Sequence, residues 1–192
     1  MNFKIVPKSY KYPIFLRNFD NQEYKYMAPK VEKTNAARLL DRATIGYRLV
    51  PYEVDENNLA ADHVAEQLGE DINRVFKTLV LEGDREPRHF VCVIPGNCEV
   101  DLKKAAKAAG VKKADLIPMK ELLPLTGYIR GGCTAIGMKK KFPVFFHTTV
   151  LGFDTVFVSA GVRGLQLEIA PKDLIDYTGA TVTDLTRDDD EQ

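Results

Sequence analysis

The stretch Val75-Phe76-Lys77-Thr78-Leu79-Val80-Leu81 carries β-branched or large apolar residues at nearly every position, the composition of a strand that suits a buried sheet. Lys77 interrupts it. Taking an ammonium out of water is costly unless it is paired or its pKa falls, so a lysine in that setting is a candidate reaction-centre cation. A lysine at a frayed strand start, snorkelling to solvent, gives the same local pattern.

Working outward, Gly83-Asp84 marks a turn, and 89–94 reads as an antiparallel partner strand ended by Pro95-Gly96-Asn97. Upstream, Thr34 suits the N-cap of a helix through Ala36, Ala37, Leu39, Leu40 and Ala43, with Gly46 able to end it in a left-handed conformation. A strand is expected over 47–54 and a second helix over 60–68, closed by Gly69. Downstream, Asp101 suits the cap of a helix over 102–109 before Gly110, strands are expected over 144–147, 155–159 and 165–169, and Pro171 opens a last helix. Strands with interspersed helices but no regular βαβ period predict an α/β protein, a mixed sheet curled into a partial barrel with helices outside.

The length of 192 residues allows one well-cored domain, expected over 30–187. Before it, residues 1–29 hold Tyr10, Tyr12, Phe15, Phe19, Tyr24 and Tyr26 among lysines, asparagines and prolines, an aromatic arm expected to pack on the body or on a partner. After it, 188–192 reads as a solvated acidic tail. The 27 basic and 27 acidic residues cancel, so no global field draws the chain to a polyanion or a membrane. No apolar run approaches a bilayer span, and the three cysteines, Cys92, Cys98 and Cys133, form no CxxC pair and leave one over. A cytoplasmic protein without disulfides or membrane partner is expected.

Several chemistries lack their residues. Gly132-Cys133-Thr134-Ala135-Ile136-Gly137-Met138 has the two-glycine spacing of a phosphate loop, but Met138 stands where the lysine is required. GxGxxG and GxSxG are absent, so neither a dinucleotide fingerprint nor a nucleophile elbow around Ser159 is present. His63, His89 and His147 show no metal-ligand spacing, so no metal and no cofactor are expected. Cys133 has a glycine-rich setting that could favour a thiolate, but no sequence cue supplies its base. Two glycine-rich segments remain, 128–137 and 158–164, each after an expected strand; such loops bring bare backbone N–H groups close to a ligand oxygen, and either alone could equally be a tight turn.

Four segments in order give the chain a resemblance to the YbaK/EbsC family of aminoacyl-tRNA deacylases, the Cys-tRNA(Pro)/Cys-tRNA(Cys) deacylases of the prolyl-tRNA synthetase editing-domain superfamily. They are Phe76-Lys77-Thr78-Leu79; Asp101 to Ala108; Thr126-Gly127 leading to Gly131-Gly132 and Gly137; and Ser159-Ala160-Gly161-Val162-Arg163-Gly164 leading to Pro171-Lys172-Asp173-Leu174. The resemblance spans roughly 34–185 and implies that family's fold. It further implies that Lys77 is the essential side chain, that Tyr52 lines the same pocket, and that the Gly131-Gly132 backbone meets the aminoacyl group. Thr134, Ser159 and Gln166 join the implied substrate-binding set. Thr134-Ala135 stands where many relatives have Ser-Pro, and Gln166 where some carry Asp, so Gln166 offers a substrate ammonium an amide oxygen without a charge.

The implied reaction is trans-editing: hydrolysis of mischarged Cys-tRNA(Pro), with the substrate's own thiol attacking its ester. A pocket shaped by van der Waals contact separates cysteine or alanine from proline by only about 10- to 200-fold, so a second, hydrolytic sieve is needed. A deacylase for Ala-tRNA(Pro) or another mischarged tRNA, and a non-catalytic tRNA- or synthetase-binding module, are the alternatives. RNA contact is expected at local patches, Lys103, Lys104, Lys107, Lys112, Lys113 and Lys139 to Lys141, weakly enough that prolyl-tRNA synthetase becomes an expected partner.

Overall fold

A computed structural model of the protein describes residues 31–187, so the aromatic arm and the acidic tail lie outside the described residues. The expected hairpin is its centre: β2 (Phe76–Gly83) pairs antiparallel with β3 (His89–Pro95), setting Lys77 opposite Ile94. On its other side β3 takes β5 (Val144–His147) in parallel, β8 (Thr181–Thr183) follows parallel to β5, and β4 (Ala114–Leu116) pairs with the outer edge of β2. The five strands run in the order β4-β2-β3-β5-β8. A second, antiparallel sheet has the order β1-β7-β6, from Tyr47–Pro51, Leu165–Ile169 and Val156–Ser159.

The fold is mixed α/β as expected. Among the described residues its strands fall into two sheets, neither closed into a barrel, joined by an isolated bridge between Val75 and Phe157.

Helix α1 (Asn35–Arg42) begins as read, Thr34 Oγ1 accepting the Ala37 N–H at 3.2 Å. Its end is a correction: Thr44, not Gly46, takes the positive φ, at 59°, because the Ile45 N–H reaches back to the Leu40 carbonyl and closes the turn early. α2 (Ala61–Leu68) stops at a left-handed Gly69, and the first strand is three residues shorter than expected. α3 (Leu102–Ala109) is capped by the Asp101 carboxylate, which accepts the Lys103 and Lys104 N–H groups at 2.7 and 3.0 Å. α4 (Met119–Thr126) was not anticipated, since Pro124 sits inside it; the Thr126 hydroxyl donates to the Leu122 carbonyl at 2.6 Å and closes its last turn. α5 (Pro171–Thr178) starts on its proline. The three-residue strands β4 and β8 were also missed, being too short to show a period.

The principal core joins Leu81, Phe90, Cys92, Ile94 and Phe145 of the larger sheet to Ala105 and Ala106 of α3 and to Leu185, with the Phe90 and Phe145 rings edge to face at 6.0 Å. Truncating a fully buried phenylalanine such as Phe90 costs about 3–5 kcal/mol. Side chains alternate along a strand, so Lys77 shares its face with Leu79 and Leu81, the face that α3 covers. Lys77 lies toward the start of β2, beyond that core cluster, where the sheet opens into a cleft.

Candidate active site

Lys77 is half-buried, and its Nζ donates to the Gly96 carbonyl at 2.9 Å. Gly96 is held there by the hairpin itself, its N–H donating to the Val75 carbonyl at 2.7 Å. Burial pushes the Lys77 ammonium below its ordinary pKa, while Cys98, Glu99 and Asp62 act in the opposite direction. The local geometry thus gives Lys77 one backbone acceptor and leaves its remaining N–H directions for something else.

It faces a cleft of about 730 Å³ whose walls come from both sheets. Of the residues singled out in the sequence, Lys77, Tyr52, Gly131, Ser159 and Gln166 line it together, though they are separated by as much as 114 positions in the chain. Gly132 and Thr134 do not line it. Thr134 is buried, its hydroxyl accepting the Ile136 N–H at 3.5 Å, and so serves its own loop. Gly132 lies beneath the cleft wall, where an added Cβ would come within 3.2 Å of the Val162 backbone. The two glycine segments therefore pack against each other backbone to backbone, and a side chain at Gly132 would require the Val162 backbone to give way by a few tenths of an ångström. Gly131 adopts φ +82°, which turns the loop toward the cleft. Tyr128 braces the pair: its hydroxyl donates to the Ile136 carbonyl at 2.6 Å, its ring lies against Gly161, and burial pushes its pKa up to about 12.

Gln166 is the most informative of the set. It is 6% exposed, lies between Val50 of β1 and Ser159 of β6 in the sheet register, and its Oε1 is buried with no hydrogen-bond donor among the described residues. A buried acceptor left unpaired costs on the order of 1–3 kcal/mol, and Gln166 carries that cost beside the cleft it helps to line. Ser159 Oγ accepts the Gly161 N–H at 3.2 Å, fixing the second glycine turn.

Among the described residues, side chains for nucleophilic catalysis are not assembled in the cleft. Cys133 lines the cleft, but burial pushes its thiol up to about 12, away from the thiolate form. None of the three histidines lines the cleft, and no group of three His, Cys, Asp or Glu gathers around a metal-sized space among the described residues. Two cleft residues had no role in the sequence reading: Arg130, whose place beside Gly131 in the 128–137 glycine segment was the available signal, and Glu99, for which there was no signal. Of the lysines expected to meet RNA, Lys104 is engaged within the fold, bonded to Asp184 and to the Thr186 carbonyl, each at 2.8 Å, while Lys103, Lys107, Lys112, Lys113 and Lys139 to Lys141 are exposed away from the cleft lining.

The fold and site define a pocket enzyme with one semi-enclosed cation, and comparison with known proteins gives the class. Residues 55–177 match the family model of the aminoacyl-tRNA editing domain. A candidate Cys-tRNA(Pro)/Cys-tRNA(Cys) deacylase, EbsC of Enterococcus faecalis, is 43% identical over 155 residues, covering 81% of this chain and 94% of that protein. The uncharacterised protein YwhH of Bacillus subtilis is 28% identical over 130 residues, 68% of this chain and 82% of its own length. Among solved structures, a candidate trans-editing enzyme for prolyl-tRNA synthetase superposes with a TM-score of 0.68 at 25% identity, over 81% of this chain and 99% of that one. The chain belongs to the aminoacyl-tRNA editing domain family. It is an aminoacyl-tRNA deacylase, acting on the ester that joins an amino acid to tRNA. No helix among the described residues is long and apolar enough to cross a membrane.

Proposed function

We propose that the protein hydrolyses mischarged Cys-tRNA(Pro), acting in trans beside prolyl-tRNA synthetase in the cytoplasm, and that the substrate's own thiol opens the ester. The carrying observation is a cleft that presents a half-buried ammonium but no activated nucleophile: Lys77 is there, while the Cys133 thiol is held protonated and Ser159 is occupied by the Gly161 N–H. The 43% identity to a candidate Cys-tRNA(Pro)/Cys-tRNA(Cys) deacylase and the likeness to a candidate trans-editing enzyme for prolyl-tRNA synthetase support the same substrate.

In this mechanism the cysteinyl sulfur attacks the carbonyl carbon of its own ester, the carbon–oxygen bond to the terminal ribose breaks, and the ribose oxygen takes up a proton. A cysteine thiolactone leaves and is opened by water to free cysteine. Tethered attack reaches effective molarities on the order of 10⁵ M or more, with ring strain holding a four-membered case toward the low end or beneath it. A thiol near 8.5 ionises far more readily than a serine hydroxyl, which separates those two substrates. Lys77 neutralises the developing oxyanion or the departing ribose oxygen, with the Gly131 backbone beside it, while Gly132, whose N–H closes the turn on the Ile129 carbonyl, holds that loop in place. Tyr52, Ser159 and Gln166 orient the substrate, the unpaired Gln166 Oε1 accepting from its α-ammonium, and Thr134 keeps the Gly132 loop in shape.

The test is deacylation of Cys-tRNA(Pro) and Ala-tRNA(Pro) by wild type and Lys77→Ala. Cysteine-selective turnover that Lys77→Ala abolishes is expected. Equal rates on the two substrates would remove the thiol from the mechanism, since alanine has none, and near-normal turnover by Lys77→Ala would remove the lysine.

A further inference from the structure

Besides Lys77, two cations line the cleft, and their situations differ. Arg187 is paired with Glu99 at 2.9 Å. The Arg130 guanidinium is exposed on the cleft wall and has no hydrogen-bond or ion-pair partner among the described residues. Its backbone is fixed nonetheless: the Arg130 carbonyl accepts Arg163 Nε at 2.9 Å, the Arg163 side chain lies against Gly131, and the Gly132 N–H closes the turn on the Ile129 carbonyl at 3.0 Å. An unpaired, planar, permanently charged group on a braced loop is suited to a phosphate, which it can grip through two parallel N–H bonds.

The substrate carries such a phosphate close to its acyl ester. In an aminoacyl-tRNA the acyl ester and the last phosphodiester flank one ribose, and in this chain the loop backbone proposed to meet the acyl group, Gly131, is one residue from Arg130. Resting on the aminoacyl-tRNA assignment, we infer that Arg130 binds the phosphodiester that joins the terminal nucleoside to the rest of the tRNA, with Arg163 as its positioning residue. The exposed lysines that the sequence pointed to are not among the residues lining the cleft and take the unspecific share of RNA contact.

The experiment is a binding cycle with the full chain at low salt. Its probes are a hairpin RNA ending in CCA and the same RNA with a neutral methylphosphonate at the last internucleotide linkage. Neutralising that linkage should weaken wild type about tenfold; Arg130→Gln should bind the normal RNA about tenfold more weakly, show a salt slope lower by about one, and be nearly indifferent to the methylphosphonate. Arg130→Lys should recover part of the affinity by charge alone. The inference is overturned if Arg130→Gln binds the normal RNA like wild type, if it still loses tenfold on neutralisation, or if wild type ignores the methylphosphonate or binds neither RNA. Turnover separates the two ideas: a wild type that grips the phosphate but hydrolyses no aminoacyl-tRNA sinks the deacylase mechanism, and one that hydrolyses without this coupling sinks the Arg130 site.

Discussion

Two residues of β7, Glu168 and Gln166, share one face of one strand and differ in how fully their polar atoms are used. Glu168 accepts Arg48 Nε at 2.6 Å, the Thr155 hydroxyl at 2.9 Å and Arg74 at 3.3 Å, and that same Arg74 stacks on Phe157. Burial alone would raise its pKa, but the bonds to Arg48 and Thr155 outweigh this and hold the carboxyl below its ordinary value. Gln166, two positions earlier, is more buried and has an oxygen with nothing to accept. One end of the strand spends its polar groups on holding the two antiparallel partners together. The other withholds them, as a site must if it is to bind something else.

Lys77 offers the sharpest way to test that division. Lys77→Met keeps the stem and removes the half-buried charge, so deacylation should fall by about 10²- to 10³-fold while the Tm stays level or rises. A Tm that falls with activity would make Lys77 a structural residue. Next, Gln166→Leu should slow turnover about tenfold and raise the Tm by removing the unpaired acceptor. Its counterpart Glu168→Ala should lose about 2 kcal/mol in a urea titration and retain its activity per folded molecule. If both variants lose stability and neither loses activity, the contrast between the two ends of β7 fails.

A smaller effect is set by His147, which is buried and accepts the Leu185 N–H on Nδ1 at 3.0 Å. Burial lowers its pKa from the ordinary 6.5, Asp184 raises it, Lys104 lowers it, and the net shift is downward. The unfolded chain then binds the proton better. Stability is present in full above about 6.5 and is lost as pH falls through the lower folded value, with the Glu168 contribution following at more acid pH. Urea midpoints measured from pH 7 downward should show the first loss, and His147→Asn should flatten it. Least affected should be Cys133→Ala, whose turnover stays within about threefold because the thiol is not the nucleophile; loss of activity there would reinstate it.

Much of the fold could be read from local chemistry. The Thr34 and Asp101 caps, the left-handed Gly69 and Gly110, the Pro171 start and the central hairpin are short-range features, governed by which neighbouring N–H or carbonyl a residue can satisfy. α4 was obscured by Pro124, and the helix end at Thr44 by the better-suited Gly46 two residues on. Lys77 was legible because a charge inside an apolar strand is anomalous wherever the strand goes. Arg130 was not, because an arginine beside glycines is ordinary until its partners are counted.

The sequence by itself determined the elements, their caps, and the identity of the groups able to do chemistry, since these depend on covalent structure and on contacts a few residues apart. Tertiary structure decided that the strands divide between two sheets where one was expected, and brought Tyr52, Lys77, Gly131, Ser159 and Gln166 to one cleft. It also decided which polar atoms remain unpaired, because pairing is a property of three-dimensional neighbours: Gln166 is short of a donor owing to what lies on β1 and β6, more than 100 positions and a few positions away.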